Sequence, residues 1–488
     1  MELEVETTNG TVRGRERRGV ALFAGMPYAA APTGDRRWAA PEPPQAWEGV
    51  RDATRFGPAA PQLPGDGLTS RVAPAWDEDC LSLNVCTPSP DDAARAVMVW
   101  IHGGAYHHGT GATPWYDGTS FAVRGDIVVV TINYRLGALG FCRMPGAPSA
   151  GLNGTLDQIA ALEWVQDNIA RFGGDPGRVT IAGESAGAFS VSTLSVMERA
   201  AGLFGQVIAQ SGAGHHVLDF NVAETVSGAF LEELGVADLT AARRCSALEV
   251  LEAQQRVEGR APTLVGSIQD PFYPSVHAEL LPGRPVDLMA GGAGSGLKMV
   301  TGTNGDETAL FGVGQVAEDK LTHLMANYAD PPDALLAMYA DEHPGTTAGE
   351  TAVRMTTDYL FRIPAVAMAE AREINGADTW MYLFDWKSRA FDGALGASHV
   401  LEIPFMFNTL DRPGVDLLLG TSDLPFALAD QMHDSWIAFI RSGDPTTAFL
   451  ADWPPYRPGH RWVMEFSDDP GLRRDPGRAA RHAWDGLR

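Results

Sequence analysis

Short apolar runs recur along the chain and are separated by longer segments of mixed polarity. Such runs are typical of strands that are buried on both faces of a sheet. The runs are AVMVWI (96–101), IVVVTI (127–132), RVTIA (178–182), QVIAQ (206–210), KMVTG (298–302) and WMYLF (380–384). They predict the central strands of a sheet.

Between these runs, apolar positions follow a helical period. The clearest case is Thr155–Phe172, which stops at Gly173-Gly174 and has a proline two residues further on, as expected where a helix ends. Strands that alternate with helices in this way form a parallel sheet covered on both faces. The sequence therefore predicts an α/β fold with a mostly parallel, doubly wound sheet.

The remaining segments are interpreted as additions to this one sheet. The N-terminal residues alternate in polarity and turn at Asn9-Gly10, which predicts a short antiparallel hairpin, and a proline-rich surface stretch follows at Pro32–Pro74. Helix-like patterns fill the segments at about 214–296 and 311–377, and no linker of disordered composition separates them from the rest. We expect residues 1–488 to form a single domain with two helix-rich insertions.

Composition contributes mainly by exclusion. The formal net charge of −24 disfavours a nucleic-acid partner, because binding to a phosphate backbone depends on clustered lysine and arginine. Hydrophobic residues make up 45% and charged residues 20% of the chain, which is the composition of a folded, soluble protein. The N-terminus has no signal-peptide pattern, and no run of about 18 apolar residues occurs. We expect a cytoplasmic protein without a membrane segment.

Neither the cysteines nor the histidines have the spacing of a metal centre or a redox motif. Cys80, Cys86, Cys142 and Cys245 include no C-x-x-C pair and are expected to be buried free thiols. No H-E-x-x-H or related spacing occurs among the histidines. We therefore expect the protein to need no metal or organic cofactor.

Ser185 lies in the pentapeptide GESAG, which by itself is a weak signal. Its context is more specific, because the predicted strand RVTIA runs directly into it and the helix-compatible segment AGAFSVSTLSVM follows. Strand, tight turn and helix together predict a nucleophile elbow, in which the serine hydroxyl stands clear of the backbone. Gly183 and Gly187 remove side chains that would collide with neighbouring elements.

A glycine-rich segment, HGGAYHHG, begins at His102 directly after the strand AVMVWI. A loop at this point supplies oxyanion donors in enzymes with a nucleophile elbow. Its small residues allow backbone N–H groups to approach a carbonyl oxygen closely. We predict an oxyanion hole formed by the N–H groups of Gly104, Ala105 and Ala186, the last at the N-terminus of the helix after the serine.

A nucleophilic serine needs a base and an acid that orients the base, expected here in the chain order serine, acid, histidine. Downstream of Ser185, Asp306 and Glu307 follow a predicted strand, and their positions alone do not decide between them. Six histidines lie beyond this pair, and only His399 lies in a glycine-rich loop after a strand. His433 lies within a helix-like run. We therefore predict His399 as the base.

Several longer motifs occur in an order that resembles the carboxylesterase/cholinesterase family, the type-B carboxylesterases, which include bacterial p-nitrobenzyl esterases. The motifs are GMPYAAAP (25–32), EDCLSLNV (78–85), NYRLGALGF (133–141), LDQIAALEWVQDNIARFGGDP (156–176), QSGA (210–213) and SGDPT (442–446). The resemblance spans nearly the whole chain. It implies an α/β-hydrolase fold and a triad of Ser185, Glu307 and His399, because the family's acid is the glutamate of its DE pair.

The same resemblance implies roles for other charged residues. Glu184 corresponds to a buried glutamate of the family, which supports the histidine or a bound water. Structural ion pairs are implied between Arg37 and Glu78 and between Arg135 and Asp157.

Two positions depart from the family pattern. Ala105 stands where the family has a third glycine, which keeps the N–H donor but adds a methyl group that narrows the pocket. Ala60 stands where secreted relatives have a cysteine paired with the one corresponding to Cys80. The unpaired Cys80 favours a reducing compartment.

Together, these features predict a serine carboxylesterase that hydrolyses small-molecule esters through an acyl-enzyme intermediate. Two alternatives stay open, namely carbamate or amide hydrolysis at the same triad and a non-catalytic, cholinesterase-like recognition protein. Tyr106 and His107 either line the entrance of the pocket or belong to a packed loop. The sequence does not decide between a monomer and a homodimer.

Overall fold

The computed structural model describes residues 3–65, 73–265, 270–450 and 452–487. Parts of the proline-rich stretch and of the first predicted insertion lie outside these ranges. The strands are β1 Leu3–Thr7, β2 Gly10–Arg17, β3 Val20–Pro27, β4 Val50–Asp52, β5 Ser82–Thr87, β6 Arg95–Ile101, β7 Val128–Ile132, β8 Gly174–Glu184, β9 Gln206–Gln210, β10 Lys298–Asn304, β11 Thr379–Phe384, β12 Trp462–Phe466 and β13 Gly471–Arg474.

These strands form one large sheet whose centre is parallel. The parallel strands follow the spatial order β7-β6-β8-β9-β10-β11-β12. Antiparallel β5, β3, β2 and β1 extend the sheet on one side and β13 extends it on the other, while β4 pairs with β2. The six apolar runs are β6 to β11, so the predicted mostly parallel sheet is confirmed. Strands β1 and β2 form the hairpin predicted at Asn9-Gly10.

Helices follow most of the central strands. They are α1 Thr119–Gly125, α2 Gly137–Phe141, α3 Asn153–Asn168, α4 Ala186–Leu194, α5 Phe220–Leu234, α6 Leu239–Ala242, α7 Ala247–Glu258, α8 Ala261–Leu264, α9 Pro285–Ala290, α10 Glu318–Met325, α11 Asp333–Glu342, α12 Ala348–Thr357, α13 Ile363–Glu373, α14 Ile403–Met406, α15 Asp416–Leu419, α16 Phe426–Ser442 and α17 Arg478–Ala483. Short 3₁₀ turns lie at Gly34–Arg36, Pro114–Tyr116, Ile169–Phe172, Glu198–Ala200, Glu307–Phe311, Val313–Gln315 and Ala390–Gly393, and a π-helical turn lies at Asp358–Arg362. No described helix is long and apolar enough to cross a bilayer.

The predicted helix at Thr155–Phe172 differs from the structure only at its ends. Helix α3 begins two residues earlier, at Asn153, and its last turn, Ile169–Phe172, tightens to a 3₁₀ turn. Gly173 then ends the segment with a φ of +84°. A left-handed residue directly after the last turn is a common helix terminus, and glycine adopts it without steric cost.

The core lies on both faces of the sheet. In β6 the side chains alternate, so that Val97 and Val99 belong to one buried cluster and Met98 and Trp100 belong to another. The first cluster includes residues of α3 and α4, and the second includes residues of α1 and α16. Burial on both faces explains why the central strands are continuous apolar runs in the sequence.

Parallel strands place their carboxyl ends at one edge of the sheet, where the sites of doubly wound folds lie. Ser185 follows β8, the glycine-rich segment follows β6, and Glu307 lies shortly after β10. His399 lies in the loop between β11 and α14. The topology therefore brings the four predicted site segments to the same edge.

The four cysteines are free thiols, and three of them, Cys80, Cys86 and Cys142, are buried as predicted. The prediction is wrong for Cys245, which is only half-buried. This residue lies in the turn between α6 and α7, where a short connection leaves one side open to solvent.

The two ion pairs implied by the family resemblance are present and fix loops near this edge. Arg135 Nη2 lies 2.6 Å from Asp157 Oδ1, and both side chains are at most 3% exposed. Arg37 Nη2 lies 2.5 Å from Glu78 Oε2. Because Arg135 follows β7 and Asp157 lies on α3, the first pair ties a loop at the sheet edge to a core helix.

We expect Asp157→Asn to lower the free energy of unfolding by about 3–5 kcal/mol, because the Arg135 guanidinium then stays buried without its carboxylate. Denaturant-induced unfolding followed by tryptophan fluorescence measures the loss. Glu163→Gln is the control on the same helix, since Glu163 lies 3.9 Å from Arg199 at the surface, where a pair contributes about 0–1 kcal/mol. Equal losses in the two variants would contradict a structural role for the buried pair.

Candidate active site

Ser185 occupies the sharp turn between β8 and α4. Its φ of +56° and ψ of −123° lie outside the regions that non-glycine residues ordinarily adopt. The backbone is held on both sides, because Ser185 N–H donates to the Gln210 carbonyl and the Ser185 carbonyl accepts from Phe189 N–H, each at 2.9 Å. The serine is half-buried. The local geometry is that of the predicted nucleophile elbow.

The two glycines of GESAG allow this turn to pack against the end of β6. A Cβ added at Gly187 would lie 2.0 Å from the Ile101 carbonyl oxygen, and one at Gly183 would lie 2.5 Å from the Gly187 carbonyl carbon. Both distances are too short for any side chain. The elbow therefore depends on glycine at both positions.

The glycine-rich segment contacts the elbow directly. A Cβ added at Gly103 would lie 2.6 Å from the Glu184 carbonyl oxygen and 3.0 Å from Ser185 Cβ. Within the described part of the chain, the N–H groups of Gly104 and Ala105 donate to no backbone acceptor. Ala186 is the first residue of α4, so its N–H has no partner within the helix. The three predicted donors therefore lie on segments in contact and are not engaged elsewhere in the backbone.

Glu307 and His399 are joined by a short hydrogen bond in the interior. The Nδ1–H of His399 donates to Glu307 Oε2 at 2.6 Å, and the backbone N–H of His399 donates to the Glu307 carbonyl at 3.1 Å. The other Glu307 oxygen accepts from Asn304 N–H at 2.8 Å. With Nδ1 as the donor, Nε2 is the nitrogen left to accept a proton.

Asp306, the competing acid in the sequence, faces a different group. Its Oδ2 accepts from Lys387 Nζ at 2.7 Å and from Ala397 N–H at 2.9 Å. It therefore holds the loop that leads to His399, whereas of these two acids it is Glu307 that contacts the imidazole.

Glu184 is the second carboxylate beside the imidazole. Its Oε1 lies 3.1 Å from His399 Nε2, and both side chains are at most 4% exposed. Burial lowers the pKa of His399, but the carboxylates of Glu184 and Glu307 outweigh burial and raise this pKa to about 9. Burial also raises the pKa of Glu184 well above its ordinary value. The site thus favours a protonated imidazole.

A third buried carboxyl group, Glu402, was not identified from the sequence. Gln210 Nε2 donates to Glu402 Oε1 at 3.1 Å, and Asn304 Nδ2 donates to Glu402 Oε2 at 2.7 Å. Burial and the charge of Glu307 raise the pKa of Glu402 to about 7. The one signal in the sequence was its position three residues after His399, because its partners Gln210 and Asn304 lie on β9 and β10.

Tyr106 and His107 are both buried. Tyr106 is fully buried, and its hydroxyl accepts from Ser190 Oγ at 3.2 Å. His107 is 7% exposed, and its Nδ1 contacts Glu258 Oε1. Among the described residues, no three His, Cys, Asp or Glu side chains are grouped to hold a metal ion.

Comparison with known proteins places these features in one family. The model of the carboxylesterase family matches residues 1–484. The chain belongs to the carboxylesterase family. It is 38% identical to para-nitrobenzyl esterase of Bacillus subtilis over 97% of this chain and 96% of that protein. It is 36% identical to phenmedipham hydrolase of Pseudarthrobacter oxydans over 95% of this chain and 94% of that protein.

Solved structures of the family agree with this assignment. The crystal structure of a Geobacillus stearothermophilus carboxylesterase at pH 6.2 matches with a TM-score of 0.87 and 37% identity, covering 99% of each chain. A thermophilic PNB esterase matches with a TM-score of 0.88 and 36% identity over 99% of each chain. The predicted α/β-hydrolase fold and the predicted class, a carboxylic ester hydrolase of the serine type, are confirmed.

We expect the acidic limb of the pH profile of kcat/KM to have its midpoint above the ordinary histidine pKa. In Glu184→Gln this midpoint is expected to shift to lower pH. His399 must be neutral to accept a proton, so activity rises with pH through its raised pKa of about 9. Removing a carboxylate that raises this pKa lowers it. The measurement is kcat/KM between pH 5 and about 10, with Glu163→Gln on the surface as the control. A limb that stays in place in Glu184→Gln would show that Glu184 carries no charge beside the imidazole.

Proposed function

We propose that Ser185, Glu307 and His399 are the catalytic triad of this carboxylic ester hydrolase. His399 Nε2 accepts the proton of the Ser185 hydroxyl, and the serine oxygen forms a bond to the ester carbonyl carbon. Glu307 accepts the hydrogen bond from Nδ1 and stabilises the imidazolium. The observation that carries the proposal is the 2.6 Å contact between Glu307 and His399 at the sheet edge that bears the strained serine.

Collapse of the tetrahedral intermediate breaks the bond to the alcohol oxygen, which takes the proton from His399 and leaves. Water then attacks the acyl-enzyme while His399 accepts one of its protons; collapse of this second intermediate breaks the bond to the Ser185 oxygen, which takes the proton back from His399, and the carboxylic acid is released. Both steps place negative charge on the former carbonyl oxygen. We propose that the N–H groups of Gly104, Ala105 and Ala186 bind this oxyanion. Their position on contacting segments supports the assignment.

Glu184 is proposed to support the histidine and not to react with substrate. Its carboxyl group lies 3.1 Å from His399 Nε2, on the side where the proton arrives. A carboxylate in this position stabilises the imidazolium that forms when the serine is deprotonated. Tyr106 and His107 follow the proposed oxyanion donors in the same loop, and their side-chain contacts hold this loop in place.

Carbamate hydrolysis is a second candidate that one comparison favours. The relative from Pseudarthrobacter oxydans is a phenmedipham hydrolase, a carbamate hydrolase. The same triad can transfer a carbamoyl group, because serine attack on the carbonyl carbon, formation of an oxyanion and departure of an alcohol occur in both reactions. The recognition-protein alternative has less support, because the three proposed triad residues are all present in this chain.

We propose further that residues 1–488 act as one hydrolase domain with insertions at about 214–296 and 311–377, as a monomer or homodimer in the cytoplasm. The match of the family model over residues 1–484 supports one domain. Four free cysteines support a reducing compartment. Light scattering on the purified protein and cell fractionation test the assembly and the compartment.

We expect Ser185→Ala to lower kcat for a short-chain p-nitrophenyl ester by about 10⁶, leaving the weak catalysis that binding and the oxyanion hole provide. Ser192→Ala is the control on the same helix, because its hydroxyl faces Met368, and it is expected to keep the parent rate. Initial rates with purified variants measure both. Parent turnover in Ser185→Ala would refute the triad.

We expect kcat/KM to be highest for an ester, lower for a carbamate and lowest for an anilide when the three substrates carry the same aryl group on the leaving oxygen or nitrogen. The carbamate carbonyl is less electrophilic because the nitrogen lone pair is conjugated with it, and an anilide nitrogen leaves less readily than a phenolate oxygen. Each step of tenfold corresponds to about 1.4 kcal/mol in the barrier. Initial rates with matched substrates give the order, and a carbamate that reacts faster than its ester would make carbamate hydrolysis the main activity.

A further inference from the structure

The oxyanion loop adopts a backbone conformation that its residues do not favour. Gly104, Ala105 and Tyr106 have φ values of +110°, +53° and +61°. The left-handed region is unfavourable for a residue with a side chain, and here two such residues occupy it in succession. A strained segment persists only where the surrounding structure holds it. Contacts behind the loop must therefore maintain its shape.

One anchor lies in the core beside the nucleophile's helix. The Tyr106 hydroxyl accepts from Ser190 Oγ on α4 at 3.2 Å, and the Tyr106 carbonyl accepts from Gly137 N–H at 2.6 Å. Its ring centroid lies 4.5 Å from that of Phe141. These contacts fix the loop on the side of α4 and α2.

A second anchor comes from the first helix-rich insertion. The Nδ1–H of His107 donates to Glu258 Oε1, which belongs to the last residue of α7, and His107 Nε2 lies 3.9 Å from Asp270 Oδ1. Burial lowers the pKa of His107, but Glu258 and Asp270 outweigh burial and raise it. Burial raises the pKa of Glu258, but His107 outweighs burial and lowers it. Both shifts favour a charged imidazolium–carboxylate pair.

The carboxylate of this pair is itself held in place. Gln254 lies one turn earlier on α7, and its Nε2 donates to Glu258 Oε1 at 2.7 Å. The Gln254 Oε1 accepts from Ala138 N–H at 2.9 Å, so α7 is joined to α2 beside the pair. Glu258 is therefore a fixed partner for His107 and not a mobile surface carboxylate.

The backbone of His107 transmits this position to one of the oxyanion donors. The N–H groups of His107 and His108 both donate to the Gly104 carbonyl at 2.9 Å. The Gly104 carbonyl and the Ala105 N–H belong to the same peptide unit, and in a trans peptide the two point in opposite directions. Holding the Gly104 oxygen towards His107 therefore aims the Ala105 N–H away from it.

We propose that His107 and Glu258 are positioning residues that hold the Gly104–Ala105 peptide in the orientation needed to bind the oxyanion. The inference rests on the proposed function, because the orientation of this peptide matters for catalysis only if Ser185 is acylated. It assigns the insertion that carries α7 a part in transition-state stabilisation.

The expected signature is a loss in kcat with little change in KM. The oxyanion exists only in the tetrahedral species, so a misaligned donor weakens the transition state more than the bound ester. Removing a donor outright typically lowers kcat by about 10²–10³. Loosening its support in Glu258→Gln or His107→Gln is expected to lower kcat by about tenfold, with a similar loss of affinity for a trifluoromethyl ketone, whose hemiketal oxyanion occupies the same position.

The experiment compares these two variants with a control on the same helix. Glu249→Gln weakens the capping box that Glu249 forms with Ser246 at the start of α7, and its side chain does not contact the loop. Steady-state kinetics with a short-chain p-nitrophenyl ester, inhibition by the trifluoromethyl ketone and denaturant unfolding are measured for all three. The control is expected to change stability without changing kcat.

The double variant His107→Gln/Glu258→Gln tests whether the two residues act as one unit. If they do, its loss in kcat equals that of either single variant and is not their product. Multiplicative losses would overturn the proposal that the pair positions the loop. So would single variants that lose stability but keep the parent kcat and inhibitor affinity, since the pair would then be merely structural.

The test also separates this inference from the triad itself. Loss of activity in Ser185→Ala together with parent kcat in both Glu258→Gln and His107→Gln overturns only the positioning role. Parent turnover in Ser185→Ala overturns the proposed function, and the positioning role with it.

Discussion

The close packing of β6 against β8 is the contact on which the active site depends. A Cβ at Gly183 would lie 2.8 Å from the Ile101 carbonyl oxygen, and a Cβ at Gly187 would lie 2.0 Å from it. Because the two strands are parallel, the chain leaves both at the same edge, and Gly103 then touches Ser185. One methyl group at any of these positions would push Ser185 away from the glycine-rich loop.

A second constraint is electrostatic. Glu184, Glu307, Glu402 and His399 are each at most 3% exposed, and buried charges are costly unless they are paired or neutralised. The protein meets this cost in two ways. Hydrogen bonds from Asn304 satisfy Glu307 and Glu402, and raised pKa values keep part of the carboxyl charge protonated. The remaining charge on Glu184 and Glu307 makes His399 a stronger base, so its imidazole must lose its own proton before it can accept another.

The helical insertions contribute to the site as well as covering the sheet. The segment with α7 reaches the oxyanion loop through Glu258, and the segment with the π-helical turn at Asp358–Arg362 places Phe361 with its ring centroid 4.9 Å from that of His399. The proposed catalytic groups at the sheet edge are thus packed from two sides by segments that lie outside the alternating strands and helices. Variation in these insertions can therefore alter the site while the sheet stays the same.

The sequence by itself determined the elements whose physical cause is local. Apolar runs specify β6 to β11 because both faces of a central strand are buried, and the glycines of GESAG and HGGA specify close turns because no side chain fits there. The resemblance to a family pointed to Glu307, which the local pattern could not distinguish from Asp306.

Only the tertiary structure decided which carboxylate faces the imidazole, that Asn304, Gln210 and Glu402 complete the buried cluster, and that His107 packs against α7. These outcomes rest on contacts between residues far apart in the sequence: Glu307 and His399 are separated by 92 in residue number, and His107 and Glu258 by 151. A local pattern carries no information about such contacts, since they depend on how the sheet orders its strands and on where the insertions pack.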